Sequence, residues 1–368
     1  MLIFEEEALH LLHRSQVIAI PTETVWGLAA RVSDEKAVEK IFALKGRPPS
    51  NPLIIHVSSI DMIEELTDSL PEEAKVLMHT FWPGSLTLVL PIIEDRIPSA
   101  VRASLPTAAF RMPSNKETLA LIEKTGPLVA PSANISGRPS ATTVQHVEQD
   151  FGSSFPMLAT SDSCDKGIES TILIWTPDCD RISCVGSAKE IRYECCDEGK
   201  VKNLVEEQHE VDCFLQPSHE GDTVTIRGRK GGEWYLGRPG ALHIVDIEKV
   251  LGRAVQGLYS SKPLCPGQHL RHYSPRAKLY LYTTAWKPSD HFDGLLGFED
   301  RVYEKAPALI TMGRSTCPIS VGKRLYEALR EIDDCGLTRV FVDGLFPRTK
   351  EWQAIHDRLQ RAAERNEK

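Results

Sequence analysis

No apolar run in the 368-residue sequence is longer than a buried strand. A membrane-spanning helix, which needs about 20 such residues, is therefore not expected. The opening Met1-Leu2-Ile3-Phe4-Glu5-Glu6-Glu7 is acidic where a secretion signal carries basic residues and then an apolar stretch. A cytoplasmic protein is the expectation. The nine cysteines include no CxxC pair and no even spacing, which fits reduced thiols and not a disulfide framework. Basic residues are outnumbered, 43 to 51, so the net charge is −8. Binding to a phosphate backbone would then need a local basic patch. Three motifs are missing too: GxxxxGK[ST], GxGxxG behind a strand, and HExxH. The simple P-loop, dinucleotide-fold and zinc-protease readings fall with them.

What is present is an ordinary soluble composition, 41% hydrophobic and 26% charged, at a length that suggests two domains. Residues 5–14 read as a helix and 17–20 as a short buried strand. A helix is expected over 34–44, because Ala37, Val38, Ile41 and Phe42 share one face. Gly46 would end it, and Pro48-Pro49 forbid its continuation. Segments 53–57, 86–90, 108–112 and 128–130 read as strands, and Ser114 with Glu117 as the capping box of a helix ending near Gly126. Alternation of this kind predicts an α/β sheet whose strand ends carry the polar loops.

Between 177 and 235 the character changes, with 13 acidic residues, 8 basic residues and five of the cysteines. This stretch reads as an insertion holding a β-hairpin, Thr223-Val224-Thr225-Ile226 against Glu233-Trp234-Tyr235-Leu236. Cys179, Cys184, Cys195 and Cys196 fit no common zinc spacing. The expected domains are 1–256, a turn-rich linker at 257–277, and a smaller domain at 278–368 built from strands at 279–282, 308–311 and 340–342 and helices at 323–333 and 350–365.

Six polar loops punctuate this pattern. Pro21-Thr22-Glu23-Thr24 offers hydroxyls and a carboxylate for a polar small molecule or for helix capping. Lys45-Gly46-Arg47 puts two cations on a stiffened loop before Asn51-Pro52-Leu53, either an anion site or a solvated helix end. His56 follows in the next strand. Arg111, inside the apolar run Thr107-Ala108-Ala109-Phe110-Arg111-Met112, must face a carboxylate, the protein's own or a ligand's. Pro131-Ser132-Ala133-Asn134-Ile135-Ser136-Gly137, with Thr142 after it, reads equally as a turn or a binding loop. Glu169-Ser170-Thr171 and Arg238-Pro239-Gly240 complete the set.

In this order, the motifs at 45–53, 131–137, 169–171 and 238–240 closely resemble the YrdC-type threonylcarbamoyl-AMP synthase family. Arg271-His272-Tyr273-Ser274-Pro275 and Ala354-Ile355-His356-Asp357-Arg358-Leu359 resemble its long two-domain form. The resemblance implies an α/β fold: a twisted open mixed sheet with a cleft, an inserted β-rich segment, and a smaller Rossmann-like C-terminal domain. It implies a nucleotidyltransferase that makes threonylcarbamoyl-AMP and pyrophosphate from L-threonine, bicarbonate and ATP with Mg²⁺. The product would pass to the machinery that modifies tRNA beside the anticodon, with at most weak direct contact to tRNA and no membrane. By the same resemblance Lys45 and Arg47 are catalytic cations. Arg47, Asn51, Thr107, Asn134, Thr142, Arg238 and Tyr273 fall on ATP-binding positions, and Thr24, His56, Arg111, Ser132 and Ser170 on threonine-binding positions. No protein metal cage is implied, and Tyr273 would make the linker a lid.

Two competing readings use the same residues. One is an RNA- or ribosome-binding module with Lys45, Arg47 and Arg111 in a basic cleft; the hydroxyls at Thr24, Ser132 and Ser170 speak against it. The other is carbamoyl transfer to a different acceptor, as in larger maturation proteins with metal-finger and acylphosphatase regions.

Overall fold

The computed structural model describes residues 1–177, 232–258, 263–268, 273–288 and 291–363, together with the backbone of three short strands at 181–184, 191–194 and 225–226. Its larger sheet is built from β1 (Leu2–Ile3), β2 (Ile18–Ile20), β3 (Gly27–Arg31), β4 (Ile54–His56), β5 (Leu86–Pro91), β6 (Thr107–Arg111), β7 (Leu128–Val129), β8 (Met157–Leu158) and β9 (Thr171–Thr176). The strands β10 (Arg181–Cys184), β11 (Ile191–Glu194) and β12 (Thr225–Ile226) form a separate small sheet. β13 (Glu233–Arg238) and β14 (Gln256–Gly257) then return to the large one, whose order is β1-β8-β2-β3-β7-β4-β6-β5-β9-β13-β14. Pairing is mixed: β4 with β6 and β5 with β9 are parallel, while β5 with β6 and β9 with β13 are antiparallel.

The central strands are short and buried on both sides, so side-chain alternation sorts their residues between two faces. Ile55, Leu88, Leu90, Phe110 and Leu173 enter the main core, against helices such as Glu35–Lys45 and Glu72–Phe81. Ile54, Val89, Ala109, Ile172 and Ile174 point the other way and form a thin apolar layer with Cys265.

A second sheet, β15 (Lys278–Tyr282), β16 (Gly294–Gly297), β17 (Leu309–Thr311) and β18 (Arg339–Asp343), is all parallel in the order β15-β18-β16-β17. It packs with helices Pro318–Asp334 and Gln353–Ala363 around its own core. The architecture is thus mixed α/β with a second, parallel α/β unit. Among the described residues no helix is long and apolar enough to cross a membrane.

The helix expected over 34–44 runs Glu35–Lys45, capped by the Asp34 carboxylate, which accepts from the Ala37 amide at 3.1 Å. Gly46 closes it at φ 61°, a left-handed turn that a side chain would strain. Lys45 is therefore the last helical residue and not a loop residue. The capping box at Ser114 and Glu117 is not formed: Asn115 caps helix Lys116–Thr125 by accepting from the Thr118 amide, while the Ser114 amide donates to Glu23. Of the expected hairpin, Thr223 and Val224 lie outside the described residues; the described part, Thr225–Ile226, pairs with β10 while Glu233–Arg238 pairs with β9, so these two strands lie in different sheets. Most of the expected insertion, the side chains of Cys179, Cys184, Cys195 and Cys196, and linker residues Arg271 and His272 lie outside the described residues. β3 and β16 had no clear sequence signal, since both are short and rich in glycine, alanine or leucine.

Candidate functional site

Three cations are buried near one another: Lys45 at 2% exposure, Arg47 at 8% and Arg238 at 5%. The helix end delivers Lys45, whose ammonium donates to the carbonyls of Ser132 at 2.5 Å and Asn134 at 2.7 Å. Arg47 bends back over its own loop, donating to the carbonyls of Asn51 and Pro52. Arg238, the last residue of β13, donates to the Ser170 carbonyl at 2.9 Å, the Ser170 hydroxyl at 3.3 Å and the Pro266 carbonyl at 3.4 Å. None of these partners is a carboxylate.

Burial without an ion-pair partner weakens the cationic forms of Arg47 and Lys45. For Arg47, burial and then the charge of Arg238 bring the guanidinium down to about 9, with Tyr273 opposing. For Lys45, burial and then the charge of Arg47 drive the ammonium well below its usual value, against the pull of Asp150 and Glu169. Such a cluster is suited to a polyanion, which would supply the charge that the fold withholds. Two side-chain groups beside it point the same way: both amide atoms of Asn51 and the amide oxygen of Asn134 are buried without a hydrogen-bond partner among the described residues.

A second group of polar residues adjoins the first. His56 and Arg111 end neighbouring parallel strands and lie opposite each other in the register. Arg111 reaches the protein's own carboxylate, Glu23, at 2.6 Å, which resolves the choice left open by the sequence. Glu23 also accepts from the Ser85 hydroxyl and the Ser114 amide. Burial alone would raise its carboxyl, but the Arg111 guanidinium and the Ser114 amide hold it at about 2. Burial, reinforced by Arg111, lowers His56 to about 3, so its imidazole is neutral near pH 7. Thr24 shares a 2.8 Å hydroxyl contact with Thr22. The Ser170 hydroxyl meets that of Thr87 at 2.7 Å, which connects this group to Arg238.

Most of the expected residues are thus brought near one another, and not along one row of strand ends. Thr107 and Arg111 show why: they open and close the same strand, β6, on the same side. By hydrogen bonding Thr107 and Thr142 are peripheral; Thr142 contacts His146 and neither bonds to the three cations. Tyr273 is buried at the other boundary, with its ring 5.3 Å from Tyr326 and the Arg358 guanidinium 4.8 Å above it. Sequence reasoning offered the Glu23 carboxylate for a small molecule or a helix cap and not as the partner of Arg111, passed over Thr87, and assigned no role to Glu169. Glu169 accepts from Ser140, Tyr326 and Arg358. Burial opposes its ionisation, but Arg358, Arg238, Ser140 and Tyr326 hold it at about 2.

Glu23 and Glu169 should make the fold sensitive to acid. Each has a folded value near 2 against the usual 4.5, so its contribution is complete above about 4.5 and vanishes as the pH falls to 2. Linkage gives about 3 kcal/mol each. Unfolding midpoints measured across this range should drop steeply, and less steeply for Glu169→Gln. A midpoint independent of pH below 4.5 would contradict the assignment.

Among the described residues no cluster of three or more His, Cys, Asp or Glu could hold a metal ion. The family described as telomere recombination, of the Sua5, YciO and YrdC type, matches residues 10–183, and the threonylcarbamoyl-AMP synthase C-terminal domain matches 243–364. The chain is 33% identical to a Bacillus subtilis protein named threonylcarbamoyl-AMP synthase, over 97% of its own length and 92% of that protein. A Pyrococcus abyssi protein of the same name is 31% identical over 91% of the chain and 86% of its own length. The crystal structure of P. abyssi Sua5 complexed with L-threonine superposes with a TM-score of 0.75 at 28% identity, covering 99% of this chain and 98% of that one.

Proposed function

The chain belongs to the threonylcarbamoyl-AMP synthase family and is thus an enzyme of nucleotidyltransferase type; from that premise we propose that its buried cationic cavity condenses L-threonine, bicarbonate and ATP into threonylcarbamoyl-AMP and pyrophosphate. The observation that carries this reading is the group Lys45, Arg47 and Arg238, buried without a carboxylate partner. A duplex or loop of RNA would need cations closer to solvent, so the binding-module reading is the weaker one.

Threonine's amine adds to bicarbonate and water leaves, giving a carbamate. A carbamate oxygen then attacks the α-phosphorus of ATP and pyrophosphate departs. Such a step depends on alignment and on stabilising spreading negative charge, and needs no covalent nucleophile. Arg47 and Lys45 would take the triphosphate, with Arg238 beside them, and Asn51 and Asn134 would offer their unpartnered amide atoms to the nucleotide. Thr107, Thr142 and Tyr273 would border it, Tyr273 bringing the linker over the cavity as a lid. Thr24, His56, Arg111, Ser132 and Ser170 would receive threonine, whose carboxylate would share Arg111 with Glu23. Neutral His56 suits a hydrogen bond better than an ion pair. Mg²⁺ would arrive on the phosphates, where oxygen ligands and water suit it. The product would serve threonylcarbamoyl transfer to tRNA beside the anticodon, in the cytoplasm. We likewise propose the division into 1–256, a linker at 257–277 and 278–368.

Pyrophosphate release by the purified protein with ATP, Mg²⁺, bicarbonate and threonine tests the reaction. Release that ignores threonine would reject that substrate, and release without bicarbonate would reject the carbamate step. Binding should also carry a proton signature. An incoming polyanion raises the depressed cations, so ATP binding at and above pH 9, between the free and bound values of Arg47, should take up protons. Calorimetry in buffers of different ionisation enthalpy reads this directly; proton release would count against the cluster as the phosphate site.

A further inference from the structure

We propose that Arg358 and Tyr326, both from the C-terminal α/β unit, are positioning residues for the nucleotide cavity, because their clamp on Glu169 fixes the Glu169–Ser170 peptide to which Arg238 is bonded. The inference rests on the ATP reading given above. Arg358 and Tyr326 have 0% exposure and Glu169 has 7%. One Glu169 carboxylate oxygen accepts from the Tyr326 hydroxyl at 2.7 Å and from Arg358 Nε at 2.9 Å; the other accepts from the Ser140 hydroxyl at 2.6 Å. A carboxylate this deep is tolerated only when its lone pairs are met in this way.

The next residue in the chain does the orienting. The Ser170 carbonyl and hydroxyl both accept from Arg238, and the Ala241 amide returns to the Glu169 carbonyl at 2.8 Å. The two-residue segment 169–170 is therefore gripped from one side by the C-terminal unit and holds Arg238 from the other. The same pair acts by a second route. Tyr326 stacks on Tyr273 and the Arg358 guanidinium lies over its ring. The Cβ position of Gly267 is 3.6 Å from the Tyr273 hydroxyl and 3.2 Å from the Arg238 guanidinium, so Tyr273 and Arg238 meet the same linker turn. Both routes lead from the C-terminal unit to one cation.

A tie that merely held the two units together would touch stability alone. Lys350, paired with Glu248 at 2.7 Å, is such a tie, since among the described residues it makes no hydrogen bond or ion pair with Glu169, Ser170 or Arg238. The experiment uses the full chain and measures ATP affinity by calorimetry beside the unfolding midpoint. Tyr326→Phe removes one hydroxyl and keeps the ring on Tyr273. It should raise the ATP dissociation constant at least about fivefold, the scale of one ordinary hydrogen bond lost, with a midpoint within a few degrees of wild type. Arg358→Gln should cost more affinity and Arg358→Lys should recover part of it. Lys350→Ala should leave affinity unchanged. If the Arg358 variants fail to fold, Tyr326→Phe decides. Wild-type affinity in Tyr326→Phe overturns the clamp while leaving the ATP reading intact. A wild-type protein that does not bind ATP overturns the reading on which the clamp rests.

Discussion

Gly240→Ala is expected to lose ATP affinity by about 100-fold or more, equivalent to about 2.7 kcal/mol, and to unfold several degrees earlier. A Cβ at this position would lie 2.3 Å from the Ser170 carbonyl carbon and 2.4 Å from the Glu169 and Ser170 carbonyl oxygens. All three are backbone atoms at the start of a buried strand, and no rotamer change moves them aside. Overpacking in such places costs about 1–3 kcal/mol or forces the backbone apart. Here the backbone that must move carries Arg238 two residues upstream, so the strain appears where the nucleotide is bound. Calorimetry with ATP and a thermal melt of the variant check both parts. An alanine variant with wild-type affinity would mean that the Arg-Pro-Gly turn does not rest on the 169–170 peptide.

Arg47→Met should separate activity from stability in the opposite sense. Removing a donor aimed at charge that develops during the reaction typically costs 10²–10³ in turnover, so a loss of about that size in kcat/KM is expected. Stability should stay level or rise. The guanidinium is buried beside Arg238, it binds only carbonyls of its own loop, and burial already pulls its ionisation down to about 9. A methionine of similar length relieves that repulsion at the cost of two carbonyl hydrogen bonds. Steady-state kinetics and the melting midpoint of one preparation suffice. A strongly destabilised variant would show that Arg47 serves the fold and not the ligand.

Much of the local structure is written in short stretches of sequence. Asp34, Gly46 and the apolar stripe between them determine a helix because capping and amphipathic packing act over one to four residues. The doublet Lys45 and Arg47 is legible for the same reason, as are the strand-length apolar runs. The capping box misled because two cap candidates stand side by side. Asn115 takes the role and leaves the Ser114 amide to Glu23, a partner 91 positions away in the chain.

The motifs, taken in order, determined the family and supplied the candidate site residues. Local sequence could not say which charges are paired. Arg111 meets Glu23 across 88 positions and Arg358 meets Glu169 across 189, whereas Lys45, Arg47 and Arg238 make no hydrogen bond or ion pair with a carboxylate among the described residues. Pairing and burial act through space in a medium that screens weakly, so the same side chain becomes a structural tie or an open cation according to what the fold brings to it. Only the tertiary structure made that choice.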